Sequence, residues 1–111
     1  MAYEFEGRTI DTTSTGYLAD PAEWSEGLAA HIAGLEQIEL TPRHWDVMNY
    51  LREEFFENQN QPNTRAIMKA MSDVWGEAVD QRSLYDLFPL DPSKQAGRIA
   101  GLPESRRKGG Y

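Results

Sequence analysis

Cysteine is absent from the 111-residue sequence. Disulfide bonds, thiolate metal ligands and a catalytic thiol are therefore excluded from these residues. No apolar run approaches the ~18 residues that indicate a transmembrane helix, so no contact with a membrane is predicted. The first ten residues, MAYEFEGRTI, lack the basic region and the apolar core of a signal peptide. The sequence therefore predicts a cytoplasmic protein.

Basic side chains are scarce and unevenly placed. Residues 1–93 contain six Lys and Arg against 17 Asp and Glu, a net charge of −11, whereas residues 94–111 contain five against one, a net charge of +4. Binding to nucleic-acid phosphates needs a positive surface, so the acidic body argues against general nucleic-acid binding. The basic end predicts a tail that docks on its own acidic body or on an acidic partner, and a simple solubility tail is the third interpretation.

Short β-strands come first in the chain. Tyr3 and Phe5 alternate along one face, and the following Glu6-Gly7 pair is typical of a tight hairpin turn. The segment STGYL offers a second glycine turn and one more short strand. The sequence therefore predicts a small N-terminal hairpin or three-stranded ribbon.

Helices follow, and several begin with a capping residue before proline. We predict helices from Pro21 to Gly34, from Pro42 to the NQNQP segment, from Asn63 or Thr64 to Trp75, within SLYDLFP, and from Pro92 to Gly101. Helical spacing places the following side chains in the core: Trp24, Leu28, Ile32, Trp45, Val47, Met48, Leu51, Phe55, Phe56, Ile67, Ala70, Met71, Val74, Leu84, Leu87 and Phe88. Trp45 should be largely buried. The fold class is a mainly helical domain over residues 1–103, with a flexible basic tail at residues 104–111.

Three other features leave alternatives open. His31 and His44 could bind metal or transfer protons, but no third ligand has metal spacing, so we interpret them as packing or surface residues and predict no metal site. The acidic run REEFFEN (Arg52–Asn58) is either a partner patch or a solvated helix face. The helices around NQNQP could form a helix-turn-helix, although the second helix offers only Arg65 and Lys69 to DNA.

Three long motifs stand in this order: LTPRHWDVMNYLRE (Leu40–Glu53), LYDLFPLDPSKQA (Leu84–Ala96) and RIAGLP (Arg98–Pro103). Together they resemble the DsrC/TusE family of sulfur-relay proteins, also described as the gamma subunit of dissimilatory sulfite reductase. The resemblance covers about residues 5–103. It implies an orthogonal helical bundle with an N-terminal β-hairpin and no cofactor.

The resemblance also implies a C-terminal arm whose penultimate cysteine carries a persulfide, and in some members a second cysteine in the KQAC segment. Here the second position is Gly97. The first falls on Lys108 when counted from AGLP, or on Gly110 when counted from the terminus. Glu104-Ser105 replaces the usual Lys-Pro, and the tail is about two residues longer than the family pattern. A persulfide carrier needs a sulfur atom that attacks and leaves by thiol exchange, so no catalytic residue is predicted.

The sequence thus predicts a monomeric, non-catalytic member of a sulfur-relay or sulfite reductase system that binds protein partners or regulates. The partners would be a sulfite reductase or a sulfurtransferase complex. Two alternatives stay open: a helix-turn-helix DNA-binding regulator, and a sulfurtransferase whose cysteines were removed. The predicted partner-binding residues are the cations of the C-terminal segment: Lys94, Arg98, Arg106, Arg107 and Lys108.

Overall fold

A hairpin opens the fold in the computed structural model, which describes residues 2–103. Strand β1 (Ala2–Phe5) pairs antiparallel with β2 (Arg8–Asp11), and Phe5 lies opposite Arg8. Glu6 and Gly7 both have positive φ, at 50° and 75°, as a two-residue type I′ turn requires. The predicted hairpin is therefore confirmed at its predicted turn.

The predicted third strand is wrong. STGYL contributes only an isolated bridge between Thr12 and Leu18. The intervening residues form a turn, in which the Thr13 amide donates to the Tyr17 carbonyl at 2.8 Å. Because the backbone groups pair within this turn, they cannot extend a strand ladder.

The rest of the described chain is helical, and the mainly helical class is confirmed. The elements are a 3₁₀ turn (Pro21–Glu23), α1 (Glu26–Leu35), α2 (Pro42–Asn58), α3 (Thr64–Trp75), α4 (Gln81–Leu87) and α5 (Pro92–Ile99). None of the helices within residues 2–103 is long and apolar enough to cross a membrane. The single domain at 1–103 stays a prediction, and the flexible tail at 104–111 lies outside the described residues.

The predicted start of the first helix is wrong. Asp20 and Pro21 start only the 3₁₀ turn, after which Trp24 has extended backbone with ψ of 143°. A second cap, Ser25, then accepts from the Leu28 amide at 3.1 Å and starts α1. The extended residue separates Trp24 from the Leu28 and Ile32 stripe.

The ends of the later helices follow their local signals more closely. Gln59 ends α2 and Gly76 ends α3, both in the left-handed region, at φ of 52° and 67°. Helix α3 starts at Thr64, one of its two predicted starts, with Asn63 as its cap, whereas α4 starts at Gln81, two residues before its predicted start at Ser83. The stop of α2 lies before Pro62, because a left-handed residue ends the helix first.

The core lies where α1, α2 and α5 meet, and α3 and α4 cover it. Its fully buried side chains include Ile10, Leu28, Ile32, Val47, Met48, Ile67, Leu84, Phe88 and Ile99. Trp45 is only partly buried against this core, so the prediction that it is largely buried is too strong. Val74 and Phe56, both predicted on an apolar face, are 61% and 54% exposed, so these two predictions are wrong. In the last turn of α3 it is Trp75 that packs back on α2, where its indole donates to Asp46 at 2.8 Å.

Candidate functional site

Helix α5 carries Gly97, the position at which the family resemblance implies a second cysteine in some members. Asp91 caps it by accepting from the amides of Ser93 and Lys94, each at 3.2 Å. Six of its eight residues are buried: Pro92, Ser93, Gln95, Ala96, Gly97 and Ile99. The segment therefore belongs to the core and is not a peripheral arm.

Three side chains from other elements fix the chain as it leaves α5. The Trp24 indole donates to the carbonyl of Ile99 at 2.9 Å. The Arg52 guanidinium donates to the carbonyl of Ala100 at 2.7 Å, and the Gln61 amide donates to that of Pro103 at 2.8 Å. The AGLP segment is thus held in one path up to the last described residue.

Only glycine fits at position 101 on this backbone path. Its φ of 78° lies in the left-handed region that favours glycine. A Cβ atom on Gly101 would lie 2.7 Å from the Cβ of Trp24 and closer still to its indole ring. Glycine is therefore required twice, by the backbone turn and by the close approach of Trp24.

A small cavity opens beside Gly97. It is lined by Tyr17, Leu51, Gln61, Pro62, Ser93, Lys94, Gly97, Leu102 and Pro103. Its space of about 20 Å³ is enough for one water-sized group. Gly97 is buried, yet a Cβ atom there would meet no heavy atom within 4 Å. The position that the resemblance assigns to a cysteine is therefore open enough to hold one.

Of the five predicted partner-binding cations, the structure describes only Lys94 and Arg98. Arg98 forms two bonds to Glu36, from Nε at 3.0 Å and from Nη2 at 2.5 Å, and both side chains are 17% exposed. The hydrogen bonds to Glu36 raise the pKa of Arg98, so its charge is engaged within the fold. Arg106, Arg107 and Lys108 lie outside the described residues.

Lys94 differs from Arg98 because its charge is available. It lines the cavity and is partly buried, and within residues 2–103 no carboxylate lies within 4.0 Å of its ammonium. The Tyr17 hydroxyl donates to its backbone carbonyl at 3.3 Å, which holds the residue at the cavity rim. Lys94 is therefore the described cation best placed to meet an anionic group.

Sequence reasoning missed the side chains that build this site from a distance, namely Tyr17, Glu36, Arg52 and Gln61. The Trp24 bond to Ile99 spans 75 residues and the Gln61 bond to Pro103 spans 42. Local periodicity carries no signal for contacts of this range. Gln61 lies in the segment NQNQP, which by its sequence predicts only the end of a helix.

The two histidines have packing roles. His44 is 6% exposed; its Nδ1 accepts from the Thr41 amide at 3.0 Å and its Nε2 donates to the Leu87 carbonyl at 2.9 Å. Burial lowers the pKa of His44, in agreement with this neutral form. The His31 ring packs 5.4 Å from that of Phe5. Within residues 2–103 no three His, Asp or Glu side chains are grouped to hold a metal ion.

The chain is similar to known proteins over almost its whole length. A family model described as DsrC like protein matches residues 4–107. Sulfurtransferase TusE of Salmonella paratyphi A is 48% identical over 101 residues, and that of Escherichia coli K12 is 46% identical. Each alignment covers 90% of this chain and 93% of the relative.

Solved structures show the same likeness. The NMR structure of DsrC from Allochromatium vinosum superposes with a TM-score of 0.85 at 37% identity and covers 96% of both chains. The crystal structure of the oxidized gamma-subunit of dissimilatory sulfite reductase (DsrC) from Archaeoglobus fulgidus has a TM-score of 0.87 at 31% identity, covering 96% of this chain and 98% of that one.

These comparisons confirm the resemblance that the three motifs predicted. They do not favour the helix-turn-helix alternative, since the named relatives are sulfurtransferases and sulfite reductase subunits. Nothing in the fold tests DNA binding directly, so its absence stays a prediction. The chain belongs to the DsrC-like family of sulfur-relay proteins.

Proposed function

We propose that this chain binds the protein partners of a sulfur-relay or sulfite reductase system without carrying sulfur itself. One observation carries the proposal: none of the 111 residues is cysteine, although at Gly97, where some family members have their second cysteine, an added Cβ would meet no heavy atom within 4 Å. A persulfide forms only on a thiol. The chain therefore keeps the scaffold of a carrier and lacks the group that would carry.

The fixed AGLP segment supports a binding role. Donors at Trp24, Arg52 and Gln61 hold the backbone carbonyls of Ile99, Ala100 and Pro103 in the segment that leads out of α5. Such pre-organisation lowers the entropy lost on binding. Lys94, with no carboxylate partner among residues 2–103, offers a charge at the rim. The cations at Arg106, Arg107 and Lys108, the monomeric state and the cytoplasmic location remain parts of this proposal.

A competition experiment tests the proposal. A TusE relative that has its cysteines is loaded with sulfur by a sulfurtransferase complex, and increasing amounts of this chain are added. We expect the loading rate to fall and to recover when more of the relative is added, since both compete for one surface. Intact mass of this chain should show no added sulfur.

Two variants complete the experiment. Gly97→Cys places a thiol where the structure leaves room, and this variant should gain the mass of sulfur from a persulfide donor. Gly34→Cys places a thiol on an exposed turn of α1, away from the cavity, as the matched control. Loading that proceeds unchanged in the presence of the native chain contradicts the proposal. A native chain that does not bind the complex would also contradict it.

A further inference from the structure

The Phe56 side chain is 54% exposed and lies on top of a cation–aromatic stack. Single exposed apolar side chains are common and need no explanation. This one, however, is the outer layer of a stack. The Arg52 guanidinium lies 4.9 Å from the centroid of the Phe56 ring and 3.8 Å from that of Trp24. The Phe55 ring meets that of Phe56 edge-on at 5.2 Å.

The stack is rigid because Arg52 is held on several sides. Its guanidinium contacts two rings and donates to the Ala100 carbonyl at 2.7 Å. Trp24 is itself fixed by its bond to Ile99. Aromatic residues and arginine are the side chains most enriched at binding hot spots, and a pre-organised group loses little entropy on binding. Phe56 is thus presented by a support that does not need to rearrange.

The exposed charges next to Phe56 on α2 are negative. Glu53 and Glu57 are exposed on the same helix, four residues apart, and within residues 2–103 no Lys or Arg lies within 4.0 Å of either carboxylate. Like charges at this spacing destabilise a helix. A partner with basic groups would relieve that repulsion. Charge complementarity therefore favours a partner that covers Phe56 and has basic groups facing Glu53 and Glu57.

We propose that Trp24, Arg52, Glu53, Phe56 and Glu57, the Phe56 surface, dock a protein partner whose contact face is an apolar pocket bordered by Lys and Arg. The inference rests on the proposed function, because it names the surface by which that partner is bound. It also decides between the two interpretations of REEFFEN in favour of a partner patch. The surface lies directly on the fixed AGLP segment, through the bond from Arg52 to Ala100.

Because Phe56 is exposed, replacing it should not unfold the protein, so a loss of competition can be assigned to the surface. In the competition experiment, Phe56→Ala should raise the concentration needed for half-inhibition at least 10-fold. Val74→Ala is the matched control, because Val74 is 61% exposed on α3 and outside the Phe56 surface. It should compete like the native chain. Competition by Phe56→Ala that equals Val74→Ala overturns the docking surface while leaving the proposed function intact.

Charge reversal tests the basic border. The double change Glu53→Lys and Glu57→Lys should weaken competition and reduce its dependence on salt, because the attraction to the partner is removed. The changes Glu53→Gln and Glu57→Gln keep the shape and should give an intermediate loss. An unchanged or stronger competition by the double lysine variant contradicts a basic partner.

A photo-crosslinking residue at position 56 or at position 74 provides a readout that does not need sulfur transfer. The expected product joins position 56 to a partner peptide with apolar residues next to Lys or Arg, and position 74 gives none of it. Crosslinks from position 56 to a second copy of this chain, equal crosslinks from both positions, or none at position 56 each overturn the surface. If the native chain does not compete at all, the proposed function is wrong. The crosslinking result then tests the Phe56 surface independently of that function.

Discussion

At the scale of single residues, Gly101 and Gly34 make a matched pair. Gly101 has positive φ and lies against Trp24, whereas Gly34 is exposed on helix α1 with no atom within 4 Å of an added Cβ. Gly101→Ala should destabilise the fold by about 2–4 kcal/mol, from backbone strain and overlap. Gly34→Ala should stabilise it by ~0.5–1 kcal/mol. Urea denaturation measures both. Similar effects of the two changes would contradict the close approach of Trp24.

At the scale of elements, His44 connects the start of α2 to the end of α4. Only the neutral ring can accept from Thr41 and donate to Leu87, and burial lowers the pKa of His44 below its ordinary value of 6.5. Below pH 6.5 the unfolded chain takes up this proton before the folded chain does. The stabilisation by His44 is therefore complete above pH 6.5 and is lost as pH falls from there toward the lower folded pKa.

Replacing His44 removes that pH dependence. His44→Gln should cost about 1–3 kcal/mol at pH 7, because buried partners lose their bonds. It should also flatten the loss of stability between about pH 6.5 and 5, relative to the native chain. Val74→Ala is the control, because it removes no titratable group, and it should keep the native slope. Denaturant melts at several pH values measure both, and parallel curves for the native chain and His44→Gln would refute the coupling.

At the scale of the whole molecule, Glu36 ties the end of α1 to α5. It accepts from Gln95 at 2.8 Å as well as from Arg98, and both partners of the ion pair are 17% exposed. Arg43 and Glu77 form a comparable pair that is half exposed, with side chains 49% and 52% accessible. Double-mutant cycles should give a coupling of about 1–3 kcal/mol for Glu36 and Arg98. For Arg43 and Glu77 the coupling should stay below ~1 kcal/mol, since water screens it.

The double-mutant cycle for Glu36 and Arg98 also tests the partner-binding role predicted for Arg98. A strong coupling to Glu36 means that Arg98 stabilises the fold and is not free to bind an anion. Equal couplings for the two pairs, or a larger one for the exposed pair, would contradict this assignment. Lys94→Ala should then reduce competition in the sulfur-loading assay more than Arg98→Lys does, provided that both variants fold.

Local signals in the sequence were enough for much of this protein. The Glu6-Gly7 turn, the helix starts after Thr41 and Asp91, and the helix end at Gly76 each depend on a few neighbouring residues, and all were confirmed. The lack of cysteine and the division of charge are properties of composition. The three long motifs led to the correct family because they are read directly from the residue order.

Tertiary structure decided the remainder, because the deciding contacts join residues far apart in the chain. Trp24 leaves the first helix to bond Ile99, and Val74 is exposed because Trp75 packs on α2 instead. Arg98 was predicted to bind a partner, and in the structure its guanidinium is bonded to Glu36, 62 residues away. Helical spacing reports which residues share a face of one helix. Only the packing of several helices determines which face is covered, and so which charges and rings are left for a partner.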